Sequence, residues 1–176
     1  MTVRLGQSTI PNAGQGIFAR RNIKPGEIVA FYNGLHFAGK CEEEEHERYC
    51  LQNVEGNIEG EKAQKCFKNK IKSQATGELI DIPPWLSDVY QHYNATLAHK
   101  VNHNFPTFTN AKFGTVEHPR FGAIVIVIGT KFIGESEEIF ANYGYRSNHR
   151  LIKEKSPWYI EQYVEAKSFV IGNDYP

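Results

Sequence analysis

Apolar and polar positions along the first forty residues fall into short runs broken by turn residues: VRLG, PNAGQG, IFARRNI, KPGE and IVAFYNG follow one another. Strands of four to six residues separated by Gly, Pro and Asn clusters predict small hairpins, since a parallel sheet needs long helical crossovers. FGAIVIVIGT and EEIFANYGY repeat the style later, and the continuous run AIVIVI at 123–128 predicts a buried strand. Helical patterning appears at 41–53 (CEEEEHERYCLQN), at 86–101 (LSDVYQHYNATLAHKV) and at about 156–170, where Ser156 caps an amphipathic segment with Pro157 in its first turn. The pattern as a whole predicts a mainly β, α+β domain with short helices.

Length changes this picture little. The 176 residues, 40% hydrophobic and 12% aromatic, are enough for one core, so a single globular domain over 1–176 is expected. Charge removes some partners. With 20 basic and 20 acidic residues the formal net charge is zero, so no overall field draws the chain to nucleic acid or to an anionic membrane. MTVRLGQSTI lacks the apolar run of a signal peptide, and no stretch approaches the roughly 20 apolar residues that span a bilayer. The three cysteines, Cys41, Cys50 and Cys66, are odd in number and show no C-x-x-C spacing, which argues against a disulfide framework or a zinc knuckle and for a reduced, intracellular protein.

Charge is segregated locally. EEEEHE at 42–47 is followed by Lys62, Lys65, Lys68, Lys70 and Lys72, which reads either as a solvated helix face with a surface loop or as an acidic lip facing a basic peptide.

Four segments carry candidate chemistry: NAGQG at 12–16, FYNG at 31–34, KVNHNF at 100–105 and NYGY at 142–145. NAGQG is a glycine-flanked loop whose backbone is open to a small polar ligand, and it opens no helix, so it is not a dinucleotide fingerprint. Tyr32, Tyr143 and Tyr145 lie beside glycines, as a narrow aromatic channel requires, although tyrosine is also common on half-buried strands. Asn102 and His103 sit among apolar neighbours, where an amide and an imidazole must find partners. His99 and His103 have the spacing that binds a metal on a helix, but no nearby cysteine or carboxylate completes the set, and no metal is expected. No G-x-S-x-G elbow and no evident Cys-His pairing supports a covalent nucleophile.

In that order, G-x-G at 14–16, I-x-x-G-E at 23–27, F-Y-N-G, N-H-x-F followed by T-N, G-E-x-E-E-I at 134–139 and N-Y-G-Y resemble the SET-domain protein lysine methyltransferases over roughly residues 3–169. HPRFG at 118–122 and the terminal segment beginning PWY are most similar to the SET7-type branch, whose animal members carry MORN repeats ahead of the SET domain; no such repeats occur in these 176 residues. The resemblance implies a β-clip fold with a pseudoknot, a segment of about 41–78 inserted into it, and a closing amphipathic C-terminal helix. It also implies S-adenosylmethionine as cofactor and a lysine-containing protein or histone-tail peptide as partner, with no direct contact to nucleic acid or membrane. A histone substrate would place the protein in the nucleus, and another substrate in the cytoplasm.

Residue by residue, the resemblance implies that Ala13, Gly14, Gln15, Lys100, Asn102, His103 and Trp158 bind the cofactor. Tyr143, Tyr32 and Tyr145 are the implied catalytic group, with Tyr143 central, and Phe113, Tyr32 and Tyr145 line the lysine channel. The reaction implied is direct displacement by a neutral amine, assisted by positioning and by phenolic and carbonyl oxygens around the methyl group. Three departures stand out. The channel tyrosine of the branch falls on Phe113, with Phe108 a competing position, since no tyrosine occurs from 94 to 142. A branch lysine is replaced by Val125, and the 41–78 segment is longer than the branch pattern. A catalytically silent peptide-binding module and a methyltransferase of non-histone proteins remain the alternatives.

Overall fold

A computed structural model describes residues 2–37, 71–82 and 96–144. These residues divide into two compact units, one built of 2–29, 100–113 and 128–144 and the other of 30–37, 71–82, 96–99 and 114–127. Ten strands run β1 (Val3–Gln7), β2 (Gln15–Ala19), β3 (Ile28–Tyr32), β4 (Leu35–Phe37), β5 (Ile71–Lys72), β6 (Leu79–Asp81), β7 (Asn102–His103), β8 (Ala111–His118), β9 (Gly122–Gly129) and β10 (Phe140–Ala141). They form a β1-β2 pair, a β4-β6-β5 sheet, and a five-stranded sheet in the order β3-β9-β8-β10-β7.

In the first unit β1 and β2 make an antiparallel hairpin with Val3 opposite Ala19 and Gln7 opposite Gln15. The free edge of β2 is taken by residues 136–139: Ile139 N–H donates to the Ile17 carbonyl at 2.9 Å and Ala19 N–H to the Glu137 carbonyl at 2.9 Å. Covered on both edges, β2 buries Ile17, Phe18 and Ala19 in succession, where a half-exposed strand would alternate. Ile23 and Ile133 exchange a reciprocal pair of backbone bonds at 2.9 and 3.0 Å. Ile17, Ile23, Val101, Ile133 and Ile139, all under 2% exposed, make the apolar centre of this unit.

The chain order within that unit is interleaved. β10 runs parallel to β7, with Phe140 opposite Asn102 and Ala141 opposite His103, and also runs parallel to β8, with Ala141 opposite Ala111. The last strand therefore lies between two earlier ones, as the expected pseudoknot requires. The 86–101 segment, expected to be helical, is described only from residue 96. There it forms a 3-10 turn at Ala98–Lys100 and then passes into β7. Pairing with β10 takes the backbone of Asn102 and His103, so an α-helix cannot continue into them.

In the second unit β6 is central, with Leu35 opposite Asp81 and Ile71 opposite Ile80. The β5-β6 connection closes through Ser73 N–H to the Glu78 carbonyl at 2.8 Å and Gly77 N–H to the Ser73 carbonyl at 2.9 Å, with Gly77 at φ +75°. Phe37, Leu79, Ile80 and Ile82 are buried. The AIVIVI run is strand β9, with Val125, Ile126 and Val127 buried in succession as expected. The expected helices at 41–53 and 156–170, and most of the 41–78 insert, lie outside the described residues. Among the described residues no helix is long and apolar enough to cross a membrane.

Gly34 of the FYNG motif shows why that position is a glycine: an added Cβ would stand 2.3 Å from the Asp81 carbonyl oxygen and 2.8 Å from Ile82 Cγ1. A main-chain oxygen held in a sheet cannot swing aside as a side chain can. Gly34→Ala is expected to cost about 1–3 kcal/mol, measured by denaturant unfolding; an unchanged midpoint would mean that β4 and β6 part without penalty.

Candidate active site

The stretch from Val101 to Phe105 is held in place by partners on both sides. Val101 is buried, and beyond β7 the Asn104 N–H donates to the Ala141 carbonyl at 3.1 Å. Asn104 Oδ1 accepts the Phe105 N–H at 2.8 Å, and Phe105 stays extended ahead of Pro106, with ψ at 156°. The T-N pair that follows has a definite use. Asn110 donates from Nδ2 to the Glu138 carbonyl and accepts at Oδ1 from the Phe140 N–H, both at 2.8 Å, so its amide stands in for a strand residue beside β10.

The loop between β1 and β2 folds back through Ser8 N–H to the Gly14 carbonyl at 2.8 Å and Ala13 N–H to the Ile10 carbonyl at 3.2 Å. Asn12 and Gly14 adopt φ of 62° and 75°, and buried Ile10 anchors the loop while Gly14 and Gln15 remain exposed. One carboxylate ties this loop to β7. Glu138, 5% exposed, accepts Ser8 Oγ at 2.7 Å and Asn102 Nδ2 at 3.1 Å on Oε1, and the Thr9 N–H and Thr9 Oγ1, each at 2.6 Å, on Oε2. Asn102 Nδ2 also donates to the Gln15 carbonyl at 3.1 Å, so one expected cofactor residue is bonded directly to another. Gly16 completes the arrangement. A Cβ there would lie 2.1 Å from Glu138 Oε1 and 3.0 Å from Asn102 Nδ2, so the second glycine of G-x-G makes room for this carboxylate.

Beyond β10 the chain turns back on β7. The Tyr143 N–H donates to His103 Nδ1 at 3.0 Å, and the Tyr143 hydroxyl donates to the Val101 carbonyl. The His103 and Tyr143 rings are 5.3 Å apart, and the Phe113 and Tyr143 rings are 5.9 Å apart. Tyr143 is nonetheless 41% exposed, so its ring is tethered and still open to a ligand. Gly144 donates to Asn142 Oδ1 at 2.7 Å and takes φ +72°, a conformation that closes the turn. Burial pushes the His103 imidazole down to about 4, offset in part by a backbone bond with Ala141. The neutral ring is what the geometry needs, since Nδ1 must keep a lone pair to accept the Tyr143 N–H.

The structure thus brings Gln15, Asn102, His103, Tyr143 and Phe113 together, with Ala13 and Gly14 in the same loop. Lys100 ends the 3-10 turn that leads into them. Tyr32 is buried at the end of β3, in the second unit, and Val125 is buried in β9. Phe108 lies in a separate 3-10 turn at Pro106–Phe108. Tyr145 and Trp158 are outside the described residues. His99 belongs to a 3-10 turn and His103 to a strand, so the helical spacing that suggested a metal pair does not apply. Among the described residues no cluster of three or more His, Cys, Asp or Glu is placed to hold a metal. Glu138, Ser8, Thr9 and the Val101 carbonyl were not singled out from the sequence. The only available signal was the G-E-x-E-E-I motif, whose three glutamates look alike until the fold buries one.

A hairpin loop latched to a parallel β7-β10 pair, with a tyrosine folded back on β7, defines a β-clip protein with interleaved strands. Residues 14–144 match the SET domain model, and the chain belongs to the SET-domain family. It is 31% identical over 158 residues to Histone-lysine N-methyltransferase SETD7 of Halocynthia roretzi, covering 88% of this chain and 36% of that protein; the chain spans about a third of that relative's length. Among solved structures it is similar to ctPRC2 in an autoinhibited conformation bound to S-adenosylmethionine (TM-score 0.55, 21% identity, 95% of this chain and 17% of that one). It is also similar to CpSET8 from Cryptosporidium (TM-score 0.55, 17% identity, 82% of this chain and 58% of that one). At these identities the two structures speak for the fold alone.

His103 supplies a test of the site's construction. Its pKa is lower folded than unfolded, so between about 6.5 and about 4 the unfolded chain binds the extra proton and stability falls as pH falls through that window. His103→Asn keeps an acceptor for the Tyr143 N–H without titrating. Unfolding curves taken from pH 7 to 4.5 are expected to show a smaller acid loss in the variant; parallel losses would remove His103 as the source.

Proposed function

We propose that this chain transfers a methyl group from S-adenosylmethionine to the side-chain amine of a lysine in a protein, with histones as the substrate class. The observation that carries the reading is the tether on Tyr143. Its hydroxyl is directed at the Val101 carbonyl and its N–H at His103, which fixes the phenol at the β7-β10 crossing while 41% of the residue stays exposed.

The residues present fit the cofactor. Gly14 and Gln15 are exposed and Ala13 is half-buried beside them, and Asn102 spends both amide hydrogens on Gln15 and Glu138, which leaves Oδ1 as an acceptor toward a ligand. By the resemblance Lys100, His103 and Trp158 belong to the same site. When bound, S-adenosylmethionine supplies a methyl group made electrophilic by a sulfonium. The protein's part is to orient, to exclude water and to accept C–H contacts from oxygen atoms, a weak interaction that gains value in a dry channel. Tyrosine phenols, with an ordinary pKa of about 10, are poor bases at neutral pH, so water takes the amine's proton before attack. The resemblance gives Tyr32 and Tyr145 to the lysine channel. The protein works inside the cell, in the nucleus when histone is the substrate and in the cytoplasm otherwise.

Methyl transfer from labelled cofactor onto a lysine peptide array tests the reading directly. In that assay Tyr143→Phe is expected to lower turnover by about 100-fold while cofactor affinity changes little, because the hydroxyl acts in the transition state. Equal turnover in the two proteins would return Tyr143 to a packing role.

Phe113 packs against Tyr143 and carries no hydroxyl to hold the amine or a water beside it. The space this leaves accommodates an amine that already bears a methyl group. The expected product goes beyond monomethyl-lysine, and Phe113→Tyr is expected to shift it toward monomethyl-lysine. Mass spectrometry of a substrate peptide reads both, and a parent enzyme that stops at one methyl group overturns the assignment.

A further inference from the structure

We infer that Glu138 is a positioning residue for the cofactor site, holding the Ser8–Gly16 loop and Asn102 in one fixed relation. The inference rests on the methyl-transfer reading, but its reasons are geometric. The carboxylate is nearly fully buried and has a donor for each of its accepting directions: three from Ser8 and Thr9, one from Asn102. Ser8 Oγ in turn accepts the Ile10 N–H at 3.1 Å, so the bond continues into the start of the loop. Asn102 Nδ2, shared between Glu138 and the Gln15 carbonyl, fixes the other end. The loop is thereby held at its start by Glu138 itself and at Gln15 through Asn102, while Gly14 between them faces solvent.

This arrangement has a chemical direction. A loop that binds through its main chain offers donors and acceptors only at the positions its backbone holds, and a loop that wanders loses affinity to its own entropy. Glu138 contacts the loop and Asn102 from behind, on the side that Gly16 leaves clear. Its effect on a ligand is indirect and passes through Asn102 and Gln15. Glu138→Gln replaces one accepting oxygen by an NH2 group, which must face either the two Thr9 donors or Ser8 Oγ together with the Asn102 amide. One end of the loop is then released.

Calorimetric titration with S-adenosylmethionine, at a temperature where circular dichroism shows each protein folded, provides the test. Glu138→Gln is expected to weaken binding about tenfold, the size of one charge-assisted bond. In an Asn102→Ala background the same change is expected to matter less, since the shared amide is already gone. A purely structural role would lower the unfolding temperature and leave the dissociation constant unmoved. Equal affinity of parent and Glu138→Gln, or an equal factor in both backgrounds, overturns the inference. If Glu138→Gln does not fold, Ser8→Ala with Thr9→Val retains the carboxylate, its bond to Asn102 and the Thr9 N–H bond while removing both hydroxyl donors from the loop. Weakened binding in that pair supports the inference, and unchanged binding overturns it. A parent protein that does not bind S-adenosylmethionine removes the methyl-transfer reading itself, a result separate from any difference between variants.

Discussion

A carboxylate taken out of water must be met by enough donors to offset its lost hydration, and Glu138 meets that requirement with hydroxyl, amide and backbone N–H groups from segments far apart in the chain. Each donor group is drawn to the same point, so satisfying the charge also brings the β1-β2 loop to β7. The adjoining backbone makes the arrangement rigid. Residues 136–139 are bonded along β2, the Glu138 carbonyl is held by Asn110, and Phe140 enters the parallel pairing with β7. Apolar burial stabilises the unit as a whole, but it is this charge that leaves little freedom in how the loop and strand meet.

The parallel pairing is itself only two residues long, too short to hold by its ladder alone. Side chains extend it. Asn110 supplies both a donor and an acceptor beside β10, Asn104 turns its amide back to Phe105, and His103 accepts the N–H that follows the strand at Tyr143. The same polar groups that end the strands therefore orient the ring of Tyr143. A neutral imidazole serves here because it is buried and because one of its nitrogens must accept, and both conditions come from the crossing of β7 and β10.

Much of this was legible along the chain. Short apolar runs between glycine and proline marked β1, β2, β3 and β9, and the unbroken AIVIVI run marked burial on both faces. The ordered motifs named the family and most of the groups that converge: Gln15, Asn102, His103, Tyr143 and Phe113. The end of the 86–101 segment did not follow its pattern. Its helical periodicity is a local preference, and ahead of β7, where Asn102 pairs with β10, its end is a 3-10 turn at Ala98–Lys100. The glycine pair in NAGQG was read as access for a ligand, whereas Gly16 is needed by a side chain more than a hundred residues away, which no local pattern announces.

By itself the sequence determined the strand-rich class, the zero formal net charge, the family, and the residue types available for chemistry, because these depend on composition, short-range periodicity and ordered motifs. It did not distinguish Glu138 from Glu135 and Glu137, give Asn110 its place beside β10, or say that the Tyr143 hydroxyl donates to Val101. Those choices were made by the interleaving of β7, β8 and β10, since which carboxylate is buried and which donors reach it depends on where distant segments cross. A carboxylate in water has no preferred partner; one enclosed by Ser8, Thr9 and Asn102 does.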